Sequence, residues 1–155
     1  MARRIATNTA VDREGLLEFL RSEKRAVLTT YRKDGGLQMS PVVYGVDDRG
    51  RVLVSTYPSR AKAANIRRRP QVSLCILGAD FDDAWVQING LATVIDLPDS
   101  VEVLVEYFRA VGGEHPNWQE YREAMVTQGK SVIVVEIESW GPIATGGFPA
   151  TLAQE

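Results

Sequence analysis

The sequence has one cysteine, Cys75, and one histidine, His115, among its 155 residues. A lone cysteine excludes an intramolecular disulfide and a thiolate metal cluster. A lone histidine excludes a zinc site built from several histidines. We therefore predict no bound metal. Because His115 lies between Glu114 and Pro116 with no second histidine or partner cysteine nearby in sequence, we interpret it as structural.

Long apolar runs are also missing. No stretch approaches the ~18 consecutive apolar residues that a membrane span requires, so we expect no membrane span. The basic residues 1–5 are not followed by an apolar segment, which predicts no secretory signal and a cytoplasmic protein. The composition, 45% hydrophobic and 25% charged, is that of a globular protein, and the length predicts one domain over residues 1–155.

Negative charge is missing from one segment. Residues 49–79 contain no Asp or Glu, yet they hold seven of the 18 cationic side chains: Arg49, Arg51, Arg60, Lys62, Arg67, Arg68 and Arg69. The remaining residues carry 11 − 20 = −9 charges. This asymmetry predicts a local surface that attracts anions. The chain is acidic overall and no aromatic residues interleave with the arginine run, so we expect no nucleic-acid partner.

Hydrophobic periodicity and turn residues predict strands joined by short turns, with helices inserted late in the chain. The predicted helices cover residues 12–21, 60–68, 99–110 and 116–127, and the predicted strands cover 26–31, 37–46, 51–56, 71–77, 84–95, 131–138 and 141–145. This order indicates the α+β class. We predict a mostly antiparallel split β-barrel of six or seven strands with short peripheral helices.

Several residues predict where these elements begin or break. Asp12 and Ser59 are placed to cap helices, and Asp99 is placed to form a capping box with Glu102. Pro41 interrupts a strand, which must bulge or lie at an edge there because proline donates no ladder hydrogen bond. Gly90 predicts a second bulge.

The segment 52–65 is the strongest candidate site. It predicts a strand that ends at Ser55 and Thr56, followed by a helix with Arg60 and Lys62 in its first turn. Cations oppose the helix dipole at that position, so their presence favours an external anion, and backbone N–H groups and hydroxyls would assist in binding it. The alternative is a set of surface cations beside a capped helix, because no glycine-rich phosphate-binding motif is present. Three consecutive arginines, 67–69, cannot all reach one ligand and are interpreted as a solvated helix end.

Two other features are candidates for contacts with a ring. A break at Pro41 would free backbone groups from the strand pairing, and these groups could then contact the edge of a planar heterocycle. The alternative is that Pro41 marks a plain edge-strand bulge. Trp85 and Gln87 are two apart and so face one side of a strand, where they would pack a ring system or a dimer core.

With these residues identified, the chain resembles the flavin/deazaflavin oxidoreductases of the pyridoxamine 5′-phosphate oxidase-like split β-barrel superfamily, specifically the actinobacterial branch that uses coenzyme F420. The resemblance covers about residues 12–147. It is carried by Leu28-Thr29-Thr30 with Asp34-Gly35 and Gln38-Met39-Ser40-Pro41-Val42, by Ser59-Arg60-Ala61-Lys62-Ala63-Ala64-Asn65-Ile66-Arg67-Arg68-Arg69-Pro70, and by Gly113-Glu114-His115-Pro116-Asn117-Trp118-Gln119-Glu120-Tyr121-Arg122-Glu123-Ala124-Met125.

The resemblance implies a homodimer with two cofactor sites at the subunit interface. Residues implied to hold the cofactor phosphate and the start of its acidic tail are Arg60, Lys62, Asn65, Ser55 and Thr56. Those implied to line the ring are Gln38, Ser40, Pro41 and Val42. Trp85 would approach from the second subunit, as would Gln87 and the segment Gly146-Gly147.

The activity implied by the resemblance is hydride transfer between F420 and a small unsaturated or conjugated acceptor. Two alternatives stay open: an FMN-binding oxidase or reductase of the same fold, and a non-catalytic protein that carries F420. A phosphate with an oligoglutamate tail is a more extended anion than FMN and suits the charge pattern, but FMN also brings a phosphate. No residue matches an obvious general acid, so no catalytic residue is named.

Overall fold

The computed structural model describes residues 4–153, so residues 1–3 of the basic N-terminal segment lie outside it. The helices are α1 (Arg13–Ser22), α2 (Ala61–Arg68), α3 (Ser100–Gly112) and α4 (Trp118–Gln128), with a short 3-10 turn at Ala150–Leu152. The strands are β1 (Thr7–Thr9), β2 (Arg25–Tyr31), β3 (Leu37–Val46), β4 (Val52–Thr56), β5 (Gln71–Leu77), β6 (Val86–Ile95), β7 (Ser131–Trp140) and β8 (Ile143–Thr145). Every predicted element is present. The strand β1, which pairs with β8, was not predicted.

Six of the strands form a closed barrel in the order β2-β3-β4-β7-β6-β5, with β5 returning to β2. All neighbouring pairs are antiparallel, which confirms the predicted α+β barrel. Only residues 44–46 of β3 pair with β4, opposite residues 52–54. Before this contact the first seven residues of β3 pair with β2 alone, so the barrel wall is split between β3 and β4.

Alternating side chains of the strands fill the barrel. Leu28, Leu74 and Ile88 are fully buried inside it, and Leu16 and Leu20 of α1 pack on this core. A second core lies outside the wall, where Leu53 and Val132 meet α3 and α4. The two cores therefore occupy opposite faces of β4 and β7.

The loop between α3 and α4 joins the second core through aromatic contacts. The His115 ring lies 5.1 Å from Phe108 and 5.5 Å from Tyr121, measured between ring centroids. Its Nδ1 accepts a hydrogen bond from the backbone N–H of Asn117, which caps α4. His115 therefore makes packing and helix-end contacts of the kind that its structural interpretation predicts.

The predicted caps and breaks have mixed outcomes. Asp12 caps α1 by accepting a hydrogen bond from the N–H of Gly15. The capping box is wrong: Asp99 is at the cap position of α3 but is itself helical in backbone, and its side chain accepts no cap hydrogen bond. An N-cap residue needs an extended backbone to turn its oxygen back toward the first N–H groups.

Pro41 lies in an edge segment without a bulge. It pairs with Val27 of β2 in an unbroken register, and its other side faces the split. The missing N–H is therefore tolerated. At Gly90 the predicted bulge is confirmed, because the register between β6 and β7 shifts between Asn89 and Gly90.

Among residues 4–153, no helix is long and apolar enough to cross a membrane.

Candidate cofactor site

The β4–α2 corner, residues 55–62, joins the end of β4 to the first turn of α2. The predicted cap at Ser59 is wrong: Arg60 is the N-cap residue, with φ −70° and ψ 147°, and no side chain caps the helix. Ser59 lies one residue too early, in the turn that the Arg60 N–H closes onto the Tyr57 carbonyl. The first N–H groups of α2 therefore lack a side-chain acceptor, as an anion site requires.

Arg60 and Lys62 bring positive charge to this corner. The ion pairs within residues 4–153 engage Arg51, Arg67, Arg109 and Arg122, whereas neither Arg60 nor Lys62 lies within 4.0 Å of a carboxylate there. Partial burial lowers the pKa of Lys62, and the nearby charge of Arg60 lowers it further. Both effects act against the ammonium form, and a bound anion would counteract both.

Two hydroxyls flank the split in the barrel wall. In the described part of the chain, Ser40 Oγ on β3 and Thr56 Oγ1 on β4 are the buried side-chain polar atoms without a hydrogen-bond partner. Thr56 is only 3% exposed. A buried hydroxyl without a partner has lost its hydrogen bonds to water, and no hydrogen bond within the protein replaces them. Such groups therefore call for a specific explanation. A polar ligand in the split would supply the missing partner to both.

The side chains of Ser55 and Thr56 face opposite sides of β4. Thr56 follows the barrel-facing residues Val52 and Val54, whereas Ser55 follows Leu53 on the side of the second core. Since β4 ends here, a ligand that touches both hydroxyls must wrap around the strand end.

A chain of hydrogen bonds connects two of the predicted residues. The Asn65 side-chain amide donates to Thr30 Oγ1 at 3.0 Å, and this hydroxyl donates to Gln38 Oε1 at 3.1 Å. Arg68 makes long contacts of 3.4 and 3.5 Å to Asn65 Oδ1. Asn65 and Thr30 are buried, so the network fixes α2 against β2 and orients Gln38 at the split. Asn65 is thus engaged within the protein through its amide.

The four residues predicted to line the ring do not share a face. Gln38, Ser40 and Val42 alternate on the barrel side of β3, and Val42 packs on the barrel core. Pro41 points to the outer side, with the exposed residues Met39 and Val43. Pro41 is therefore placed to contribute backbone at the open edge rather than its side chain.

Lys130, which sequence reasoning missed, also reaches the corner. Its ammonium donates to Ser55 Oγ at 3.3 Å and lies 4.2 Å from the centroid of the Tyr57 ring. Lys130 immediately precedes Ser131, which pairs with Thr56 across β4 and β7. Because 70 residues separate Lys130 from Arg60 in the sequence, only the pairing of β4 with β7 indicates that Lys130 lies at the corner.

The residues predicted to come from a second subunit lie elsewhere on this chain. A cavity of about 560 Å³ is lined by Cys75, Leu77, Phe81, Trp85, Gly146, Gly147 and the charged residues Arg4, Asp82 and Asp83. Gln87 faces outward beside Asn89, to which its amide donates. Trp85 precedes β6, whereas the other end of β6 pairs through Val132 with Ser55. About ten residues of strand, roughly 30 Å, separate Trp85 from the corner.

Arg67 anchors α2 beside the corner. Its guanidinium donates to both carboxylate oxygens of Asp96, at 2.7 and 2.8 Å, and Ser131 Oγ donates to Asp96 at 2.6 Å. These hydrogen bonds, that of Ser131 first, lower the pKa of Asp96. Arg69 instead lies over the Tyr31 ring, so the three arginines point to different partners.

We expect Asp96→Asn to destabilise the protein modestly at neutral pH, by about 1 kcal/mol or less because the ion pair is half exposed. A carboxyl whose pKa is lowered by folding stabilises the folded state above its unfolded pKa, and this stabilisation is lost as the pH falls. Urea unfolding should therefore show that the wild-type protein and Asp96→Asn differ in their free energy of unfolding at pH 7, and that this difference shrinks below about pH 4. A difference that is independent of pH would contradict this role.

Known proteins share this fold. The chain superposes on a conserved hypothetical protein of Mycobacterium tuberculosis with 19% sequence identity and a TM-score of 0.73, covering 92% of this chain and 89% of that one. A protein described as an F420 reductase has 20% sequence identity and a TM-score of 0.58, and the match covers 79% of this chain and 94% of that one. A heme binding protein of Mycobacterium smegmatis has 17% sequence identity and a TM-score of 0.63, and the match covers 85% of this chain and 54% of that one. At these identities the likeness establishes the fold.

The sequence also matches a family model described as pyridoxamine 5′-phosphate oxidase, over residues 13–144. The matched range begins at α1 and ends within β8, so it contains all six barrel strands and the β4–α2 corner. Since the match spans most of the chain, the protein belongs to the pyridoxamine 5′-phosphate oxidase family.

Proposed function

We propose that the protein is an F420-dependent oxidoreductase of the actinobacterial branch that transfers a hydride between the deazaflavin and a small unsaturated or conjugated acceptor. One observation carries the proposal. The buried, unpartnered hydroxyls of Ser40 and Thr56 flank the barrel split, beside Arg60 and Lys62, which have no carboxylate within 4.0 Å among residues 4–153. Hydroxyl donors and cations together suit a ligand that carries a phosphate.

The choice of F420 over FMN rests on the extent of the positive charge. Arg60 and Lys62 suffice for one phosphate, and Lys130 adds a third cation on the other side of the strand end. A phosphate followed by an oligoglutamate tail is the longer anion and suits this arrangement. The F420 reductase with the same fold supports the choice.

The residues of the chain would bind and orient the cofactor. When bound, F420 supplies the hydride chemistry, and the protein supplies position and electrostatics. Arg60, Lys62 and the free N–H groups of α2 would hold the phosphate, while Gln38, Ser40 and Val42 would face the ring from β3. Gln38 is held in place for this role by Thr30 and Asn65.

A pair of titrations tests the proposal. The purified protein is titrated with F420 and with FMN while the fluorescence of each cofactor is followed. We expect F420 to bind more tightly. Tight FMN binding without a response to F420 would make the protein an FMN enzyme. Transfer of hydride from reduced F420 to a member of a panel of conjugated acceptors separates an enzyme from a carrier.

We also propose that the active form is a homodimer in which each site combines two subunits. Trp85 is on the outer surface of the barrel, whereas Gln38, Ser40 and Val42 face its interior, so the wall separates them within one chain. Trp85 can meet a ring held at the split only if it comes from a second copy.

The outer face of β3 supports this arrangement. Leu37, Met39 and Val43 are 53%, 60% and 44% exposed. Through the register, this face continues across Val27 of β2 to Cys75 of β5, toward the cavity at Trp85. Contiguous apolar surface of this kind marks an interaction site, and a symmetric dimer would bury it from both subunits.

Complementation between two defective chains tests the shared site. We expect Lys62→Ala and Trp85→Ala each to weaken F420 binding. When the two chains are co-expressed with different tags and the mixed dimer is isolated, one of its two sites is wild type and the other carries both substitutions. Fluorescence titration of the mixed dimer should then show roughly half a wild-type-affinity site per chain. A mixed dimer without any such site would contradict the proposal.

A further inference from the structure

The backbone of Lys130 is hydrogen-bonded on both sides where it lies beside the β4–α2 corner. Its N–H donates to the Met125 carbonyl, and its own carbonyl accepts a hydrogen bond from the buried Ser100 Oγ. It follows Gly129, which ends α4 in the left-handed conformation at φ 68°. These contacts direct the side chain toward Ser55 and Tyr57 rather than leaving it free in solvent.

The Tyr57 ring has two cations near it. The Lys130 ammonium is 4.2 Å and the Arg60 guanidinium carbon 5.7 Å from its centroid. Within residues 4–153, neither cation is among the groups paired with a carboxylate. The ammonium has three donors, and Ser55 Oγ accepts only one. Two like charges near one ring repel each other, and anions bound to them would relieve the repulsion.

This arrangement lies on the far side of the strand end from the split. Ser55 faces the second core, whereas Thr56 faces the barrel together with Ser40. The proposed phosphate position already has its donors in Arg60, Lys62 and the N–H groups of α2, whereas Lys130 lies on the Ser55 side of the strand end. Lys130 is therefore available to a further anionic group of the same ligand.

We propose that Lys130, Ser55 and Tyr57 form a second anion subsite, which takes a carboxylate of the oligoglutamate tail of F420. This inference rests on the proposed F420 function and assigns Lys130 to the recognition of tail length. Lys130 and Ser55 donate to the carboxylate, and Tyr57 holds the ammonium in place. FMN, which ends at its phosphate, does not extend to this subsite.

Binding of three ligands by Lys130→Met tests the subsite. The ligands are F420 with several glutamates, the tail-less form of F420 that ends at its phosphate and lactyl group, and FMN. We expect the affinity for tailed F420 to fall by about tenfold, as for a lost hydrogen bond to a charged group. The affinities for the other two ligands should stay within error. Ser55→Ala should weaken tailed F420 in the same selective way, to a smaller extent.

Lys24→Met is the matched control, because Lys24 is exposed in the turn between α1 and β2, at the opposite end of the barrel strands. Lys130→Arg should retain most of the preference for the tail. Equal weakening of all three ligands by Lys130→Met would place Lys130 at the phosphate and overturn the inference, as would no change in any. Failure of the wild-type protein to bind either form of F420 would instead refute the proposed function.

Discussion

Gly90→Ala is expected to lower the free energy of unfolding by about 3 kcal/mol or more. A Cβ atom at Gly90 would lie 2.1 Å from the Glu136 carbonyl oxygen and 3.1 Å from Val135 Cγ1. The oxygen belongs to the backbone of β7, which is paired with β6 on one side and β4 on the other. It therefore has little freedom to move away.

Urea unfolding followed by circular dichroism measures this effect. Gly141→Ala is the control, since a Cβ there meets no atom within 4 Å and its φ is not in the left-handed region. The control should change the free energy of unfolding by less than about 1 kcal/mol. If Gly90→Ala were as mild as Gly141→Ala, the bulge between β6 and β7 would not have the tight approach that the structure shows.

The barrel was predictable from the sequence because its signals are local. Alternating apolar residues, turn residues such as Asp34-Gly35, the edge position of Pro41 and the bulge at Gly90 are each signalled within a few residues. The two wrong caps show the limit of such signals. Ser59 and Asp99 are good capping types, but α2 begins one residue later than Ser59 suggests and Asp99 has a helical backbone, because each residue lies in a hydrogen-bonded turn that precedes its helix.

The candidate site was predictable only in part. The segment that holds Arg60 and Lys62 is contiguous, so its charge is visible in the sequence. Lys130 joins it through the pairing of β4 with β7. Ser40 and Thr56 lie on opposite sides of a split whose position depends on where the pairing of β3 and β4 stops. Such long-range relations depend on which strands pair and where the pairing stops, and no short turn joins β4 to β7 to fix their register.

Removal of the Lys62 side chain beyond Cβ is expected to weaken F420 binding by about 1.5–3 kcal/mol, roughly tenfold to a hundredfold in affinity. Lys62 lies in the first turn of α2, and its ammonium is partly buried without a carboxylate partner among residues 4–153. In Lys62→Ala the phosphate would lose a charge-assisted hydrogen bond where screening by solvent is reduced. The change is measured by fluorescence titration at fixed ionic strength.

Arg68→Ala is the control on the same helix. Arg68 lies at the other end of α2, and its contacts to Asn65 are long, at 3.4 and 3.5 Å. Its removal should change the affinity much less than Lys62→Ala. A larger loss for Arg68→Ala would mean that the anion is bound at the C-terminal end of α2 and not at its N-terminus. Wild-type affinity in Lys62→Ala would show that Lys62 does not belong to the site.

The pH dependence of binding separates a charge effect from a change in packing. Burial and the charge of Arg60 lower the pKa of Lys62, so the free protein loses this positive charge at a lower pH than an ordinary lysine would. A bound phosphate favours the protonated form, hence wild-type affinity for F420 should decline as the pH rises through the alkaline range. Lys62→Ala should lack this component of the decline. If both proteins lost affinity in parallel, the ammonium of Lys62 would not be the group that meets the phosphate.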